Sequence, residues 1–576
     1  MSVKPSVVVP THFAFLIAIA AAVLANGAHL PISTLANQLI AIGGWGLVML
    51  VAPAPALQRS ALCSVAPLVA VLGIAALACT LSMALGRLPS SPGVGVLGVL
   101  GLAIAVALYG ASAGASGGSG FPRAFAIALV VSGLCGAVLA IAQVFAYDHL
   151  DNDIIAIPAG RGRAGGNIGQ PNHLADTLVW GLVALVPLSR IGQGGFRGRI
   201  VLAAAGFAAL LMILGVVLTG SRTGMVALVL LAAWGIADRQ LARPLRVALL
   251  ASPVVAVLMQ WLVGVATHAA GLVVTLTERG DVGITNFRGE IWSNCLALIG
   301  EQPWLGVGWG GFNFAWTLTP LAPRHVGLLD NAHNLPLQLA VELGVPVGAA
   351  MMSLLLWAFC KAARRTWRLA GEAGVNARGA LMIVMVIGLH SMLEYPLWYA
   401  YLLLPTTWAF GYALGAASRA GVPAPSAAPL RAWRVLGAMF AVVAVSAWLD
   451  YRNIVLLFEP TTASLPERIQ RARLSPLFSD QADFLAVSST PPSPTLMPAI
   501  QRSSHVLLTG RLLYAWANLL YAEGQVDKAR YLAARLRELD LSGPRRWYAP
   551  CGDPAVTAKP FQCLAPDHPV SWRDFR

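Results

Sequence analysis

Charge is what this chain has least of. Only 11% of its 576 residues are Asp, Glu, Lys or Arg, against roughly a quarter in an ordinary soluble domain, which excludes a single water-soluble globule. Acidic residues are the scarcer sign, 25 against 39 basic, and the formal charge is +14. Cysteine is sparse as well. Cys63, Cys79, Cys135, Cys295 and Cys360 are scattered singly, and Cys551 and Cys563 lie in a polar tail, so no cysteine spacing suits a metal. No Gly-x-Ser-x-Gly, His-Glu-x-x-His or P-loop pattern occurs, which removes the soluble-type hydrolase and ATPase mechanisms.

Apolar residues, 57% of the chain, are what fills it. Their runs give about thirteen candidate spans of ~20 residues each, starting near residues 13, 35, 62, 93, 123, 172, 200, 223, 245, 335, 379, 398 and 433. The first run is expected to be an uncleaved anchor rather than a signal peptide. The expected fold is therefore an all-α polytopic integral membrane protein in a lipid bilayer. Residues 1–450 would be its transmembrane domain and 451–576 a small helical domain. Within the latter, Leu513, Trp516, Ala517, Leu520, Gly524, Ala529 and Ala533 follow tetratricopeptide spacing, which a plain helical hairpin would also satisfy. The linker 417–430, rich in Pro, Ala and Ser, reads as spacing.

Basic residues orient the spans, because short cytoplasmic connections retain them. With the N-terminus inside, the inner connections hold 17 Lys and Arg against Asp238 and Glu372, the outer connections hold seven, and the tail holds 15. The excess of positive charge thus serves topology and a tail, and no nucleic-acid partner is expected. The tail falls outside, as does a long connection at 267–332 whose Trp304, Trp309, Phe312, Phe314 and Trp316 argue against disorder.

An outer arginine opposes the retention bias and calls for a reason. Arg222 lies in the tight turn Thr219-Gly-Ser-Arg-Thr-Gly224, Arg288 in Asn286-Phe-Arg-Gly-Glu290, and Arg161 and Arg163 in a glycine-rich stretch up to Gly169. Guanidinium binds phosphate bidentately and keeps its charge, so several such residues suit a lipid diphosphate; interfacial snorkelling is the plain alternative. Gln170, Asn172 and His173 add polar groups at the mouth of a span, with Asn172 also placed to cap it. In Asp330-Asn-Ala-His-Asn-Leu-Pro336, Asn331 is a candidate cap, and His333 carries the side chain that takes a proton near neutral pH. Glu394 and Tyr395 lie in the outer turn His390-Ser-Met-Leu-Glu-Tyr-Pro-Leu-Trp-Tyr399, where an interfacial aromatic belt is an equally good account. Asp151-Asn-Asp153 has the spacing of a glycosyltransferase metal pair but reads as a polar turn, and no metal or cofactor is expected.

The run Arg288-Gly-Glu-Ile-Trp292, then Pro303-Trp-Leu-Gly-Val-Gly-Trp-Gly-Gly-Phe312, then His333-Asn334 and Glu342-Leu-Gly344, resembles the signature of the O-antigen ligase and polymerase superfamily. Arg222 matches its earlier arginine. Gly166-Asn-Ile-Gly-Gln-Pro-Asn-His-Leu174 and His390–Trp398 are similar to the protein O-oligosaccharyltransferase, or pilin glycosylation ligase, branch. The resemblance implies transfer of a glycan from undecaprenyl diphosphate to a hydroxyl of a pilin-like protein at the periplasmic face of the inner membrane, without metal. It implies catalytic roles for Arg222, Arg288 and His333, and substrate-binding roles for Arg161, Arg163, Asn167, Gln170, His173, Asn334, Glu394 and Tyr395. O-antigen ligase with a lipid A core acceptor, O-antigen polymerase and a polyprenyl-glycan transporter are the alternatives. A bridge between Cys551 and Cys563 is expected if the tail is periplasmic.

Overall fold

The computed structural model describes residues 5–27, 31–52, 58–158, 160–189, 195–269, 287–321, 324, 326–418, 430–459, 463–506, 508–539 and 545–576. Most of the 417–430 linker and residues 270–286 of the long connection therefore lie outside the described residues. Among those described, the regular structure is helical, without strands. Among the described residues eight helices are long and apolar enough to cross a membrane, from Arg59–Ala84 to Arg431–Val455. Shorter helices, Val9–Leu24, Leu35–Val51, Arg222–Ala237, Pro171–Leu188 and Ala400–Ala416, stand at the remaining expected positions.

The chain divides into two compact units, Met1–Leu72 with Gly101–Asp281 and Leu354–Trp448, and Gly73–Leu100 with Val282–Ser353 and Leu449–Arg576. In the first, helices approach closely where side chains are small, as membrane helices do when lipid supplies no hydrophobic drive. Gly110 and Gly114 of Ser90–Ser116 face Gly411 and Gly415 of Ala400–Ala416. A Cβ on Gly411 would stand 2.1 Å from the Ala107 carbonyl oxygen, and one on Gly114 2.2 Å from that of Tyr412. Between such seams lie buried aromatics, Phe125 stacked on Trp408 at 4.2 Å among them. Arg378 and Asp238, both fully buried, pair at 2.6 Å. Trp234 and the Gln240 amide donate to the same carboxylate, while the guanidinium also donates to the Thr366 and Leu369 carbonyls, as a buried pair requires.

In the second unit, Gly510–Ala522 and Val526–Glu538 form a helical hairpin about a turn whose Gly524 has φ 78°. Leu513, Trp516, Ala517, Leu520, Ala529 and Ala533 are buried along it. The tail is also bonded to the connection after Val282. Tyr531 donates to the Leu318 carbonyl at 2.5 Å, the Leu508 amide donates to the Asn313 side chain at 2.8 Å, and Trp572 donates to Glu301 at 3.0 Å. Cys551 and Cys563 form a disulfide, leaving five free cysteines. Denatured without reductant, the protein should titrate five thiols and, after reduction, seven; seven without reductant would contradict the bridge.

Candidate functional site

Eight of the candidate residues lie in the first unit and three, Arg288, His333 and Asn334, in the second. Among the described residues His333 is the only non-glycine residue with a left-handed backbone, φ 48°. Such a conformation costs of order 1–3 kcal/mol and persists only where the surroundings impose it. They do so here through side chains on both flanks. Asn331 accepts from the His333 amide at 3.0 Å, Gln338 accepts from the Ala332 amide at 2.7 Å, and Asn334 accepts from the Leu337 amide at 3.0 Å. The cap of Leu335–Thr366 is therefore Asn334 and not Asn331, because the helix begins one residue after it. His333 itself is 7% exposed.

The approach to His333 is held from the helix Phe312–Leu318. Asn313 donates to the Leu329 carbonyl and Trp316 to that of Gly327, each at 2.9 Å. Arg324 donates to the Trp316 and Thr319 carbonyls and lies 3.4 Å from Glu538. Burial pulls its pKa down to about 10, which leaves it charged at neutral pH.

That helix is placed in turn by a break in Leu335–Thr366. Gly344 has φ 79° and ψ 162°, and Pro346 follows it. Pro346 has no N–H to offer the Glu342 carbonyl, and Val345 turns its own away from Val341. The glycine-rich segment replaces all three partners: Pro303 accepts from Val345 at 2.8 Å, Val307 donates to Val341 at 2.9 Å, and Gly308 donates to Glu342 at 2.8 Å. The Glu342 carboxylate accepts from the Gly310 amide at 3.1 Å. There is no room for side chains at the crossing, since a Cβ on Gly344 would lie 2.3 Å from the Trp304 oxygen and one on Gly306 2.5 Å from Glu342. Arg288 is half-buried at the first position of the helix Arg288–Glu301, upstream of this segment.

In the first unit three sequence segments converge. Gln170, rather than Asn172, caps Pro171–Leu188, accepting from the Asn172 and His173 amides at 2.5 and 3.2 Å. The helix starts at Pro171, so Asn172 is already inside it and its side chain is turned elsewhere. It accepts from Ser221, the cap of Arg222–Ala237, at 2.7 Å and donates to Glu394 at 3.5 Å. Arg222, exposed, follows Ser221 directly. Arg163 donates to the Thr219 carbonyl at 2.9 Å, tying the glycine-rich loop to the same turn. Behind them His173 meets the Tyr401 hydroxyl at 2.9 Å and stacks edgewise on Tyr399, while buried His390 and Asp176 meet at 2.5 Å. Tyr395, half-buried, lies 6.0 Å from Tyr399, ring to ring.

Other candidates are occupied locally. The Asn167 amide spans the Leu24 and Ile154 carbonyls and the Ala156 amide, so it shapes the loop. Arg161 pairs with Asp148 on the surface and lies over Tyr147. Asp151 accepts from the Asp153 amide within an exposed turn, and among the described residues no three His, Cys, Asp or Glu side chains group as metal ligands. Gln143 was missed by sequence reasoning: its side chain accepts from Gly165 and Gly166 and donates to Ala156 and Gly166, and a lone amide inside an apolar span was its one signal.

Residues 207–352 match the O-antigen ligase family model, residues 164–188 that of protein glycosylation ligase, and residues 379–546 the C-terminal part of virulence factor membrane-bound polymerase. A general O-oligosaccharyltransferase from Acinetobacter baylyi is 26% identical over 273 residues, 46% of this chain and 46% of that protein. The chain thus matches less than half the length of this curated relative. The break at Gly344 lies inside the O-antigen ligase match, and its steric demand is checked by thermal unfolding in detergent. Gly344→Ala should cost about 2 kcal/mol or more through strain and collision, whereas Gly289→Ala, with nothing within 4 Å of the new Cβ, should be neutral or stabilising. Equal midpoints for the two variants would contradict the crossing.

Proposed function

We propose that this chain, set by its matches in the O-antigen ligase and O-oligosaccharyltransferase branch, is a glycosyltransferase that moves an oligosaccharide en bloc from undecaprenyl diphosphate to a serine or threonine hydroxyl of a pilin-like periplasmic protein. The observation that carries this reading is His333, a strained residue fixed from both sides within the segment that matches O-antigen ligase. The acceptor oxygen attacks the anomeric carbon as the bond from that carbon to the diphosphate oxygen breaks. His333 takes the hydroxyl proton and passes it to water. The diphosphate leaves as an anion and needs no proton, so cations suffice on that side. Arg222 and Arg288 supply them in this reading. Each occupies the first position of a helix, where a positive charge opposes the macrodipole and costs ~0.3–1 kcal/mol, a placement that a phosphate would repay.

Asn334, as the cap beside His333, and Gln170, Asn172, His173, Arg163 and Glu394, as one bonded cluster, are assigned to holding the substrate's polar groups or the loops around them. Arg161, Asn167 and Tyr395 are assigned supporting positions in the same loops. The active face and the tail are taken to be periplasmic, in a bacterial inner membrane, in keeping with the inner excess of Lys and Arg. Lipid A core is the second acceptor to test, because the O-antigen ligase model matches 207–352.

Purified protein with lipid-linked oligosaccharide in EDTA should glycosylate pilin and neither lipid A core nor free glycan repeat. His333→Ala should reduce transfer by about 10²–10⁴-fold, and Arg222→Ala or Arg288→Ala by about 10²–10³-fold, with thermal midpoints preserved. Glycosylation of lipid A core alone would overturn the acceptor. Translocation of the lipid with no covalent product would overturn the enzyme and favour a transporter.

A further inference from the structure

The glycine-rich segment ends its packing in two residues that touch little of the second unit. Trp304 is 73% and Leu305 78% exposed, although they are the bulky apolar members of a segment whose backbone is fixed on Leu335–Thr366. On that helix the residues just past the break, Val345 and Val347, are exposed too, at 45% and 37%. Leu296, on Arg288–Glu301, is 60% exposed. A water-facing surface has no use for such a group, and what covers it follows from the depth of the break.

Leu335–Thr366 has 32 residues, and its charged end, Lys361 with Arg364 and Arg365, marks the inner boundary. Twenty residues at 1.5 Å, about 30 Å, fill the hydrocarbon layer. Counted back from Lys361 they end near Val341, within one turn of Gly344. The break therefore stands at the outer edge of the hydrocarbon, and Trp304, whose carbonyl meets Gly344, stands beside it. Tryptophan is the residue favoured at that level, its ring apolar and its N–H wet. The preceding residue pattern agrees: Glu301 is half-exposed and bonded to Trp572 and Arg573, a polar margin next to an apolar tip.

We propose that Trp304 and Leu305 form an interfacial anchor inserted into the outer leaflet, with the bilayer as the partner of this surface. The two side chains continue the lipid-facing strip of Val345 and Val347 outside the span itself. They fix the level of the segment 303–312, and with it the helix Phe312–Leu318, against the headgroups. This inference depends on the chain lying in a bilayer and not on the transfer reaction.

The test is a nitroxide at Leu305→Cys in full-length protein reconstituted into phospholipid nanodiscs, with the exposed Cys63, Cys135 and Cys360 replaced by serine. The buried Cys79 and Cys295 stay unlabelled in the folded protein. Glu523→Cys, exposed beside the hairpin turn, is the aqueous control. At position 305 dissolved oxygen should relax the label several-fold more than a water-soluble nickel chelate, and at position 523 the order should reverse. A label at 305 that the nickel chelate relaxes more than oxygen, or one shielded from both as a protein partner would shield it, overturns the anchor.

Discussion

A helix crossing hydrocarbon cannot leave backbone groups unbonded, yet Leu335–Thr366 is broken by its own sequence at Gly344 and Pro346. The carbonyls of Val341 and Glu342 and the amide of Val345 must find partners elsewhere, and the segment Pro303–Gly308 supplies them. Much of the second unit follows from that requirement. The segment fixes the end of Arg288–Glu301 and the start of Phe312–Leu318. Asn313 and Trp316 on the latter hold Leu329 and Gly327, Gln338 reaches Ala332, and His333 is left with the backbone it would not choose alone. The glycines of this region are needed for the crossing itself, at Gly306 and Gly344, where a Cβ would strike backbone.

The tail is part of the same frame. Asn313 donates to Leu329 and accepts from Leu508, so one side chain joins the His333 approach to the segment before the hairpin. Tyr531 and Glu538, on the second hairpin helix, bond Leu318 and the pair Leu321 and Arg324. A substitution in the hairpin core would thus be felt at residues 312–333 through hydrogen bonds within one unit.

The apolar runs made the helices legible, because length and hydropathy are properties of contiguous sequence. Arg222, Arg288 and His333 stand out in the sequence as candidates, being guanidinium or imidazole groups where a membrane protein has few. What was not legible depended on pairing between distant segments. Nothing local shows that Gln143 serves Gly165 and Gly166, or that Pro303, Val307 and Gly308 complete the helix broken at Gly344. Nor does anything local show that Arg378 of the inner connections is buried in a pair with Asp238, 140 residues earlier. The caps stand two and three residues from the expected ones, Gln170 for Asn172 and Asn334 for Asn331, because several amides lie near each helix start and only the true first turn selects among them.

In the proposed reaction a base and fixed cations do the chemistry, and the strain at His333 is the local cost of presenting the base. Glycine adopts the left-handed backbone freely, so His333→Gly should keep the frame and leave a space the size of an imidazole ring. The most direct measurement is pilin glycosylation by His333→Gly as imidazole is titrated in. Transfer should be lost without imidazole and return in proportion to its concentration; undiminished transfer by the folded variant in the absence of imidazole would show that His333 is not the base.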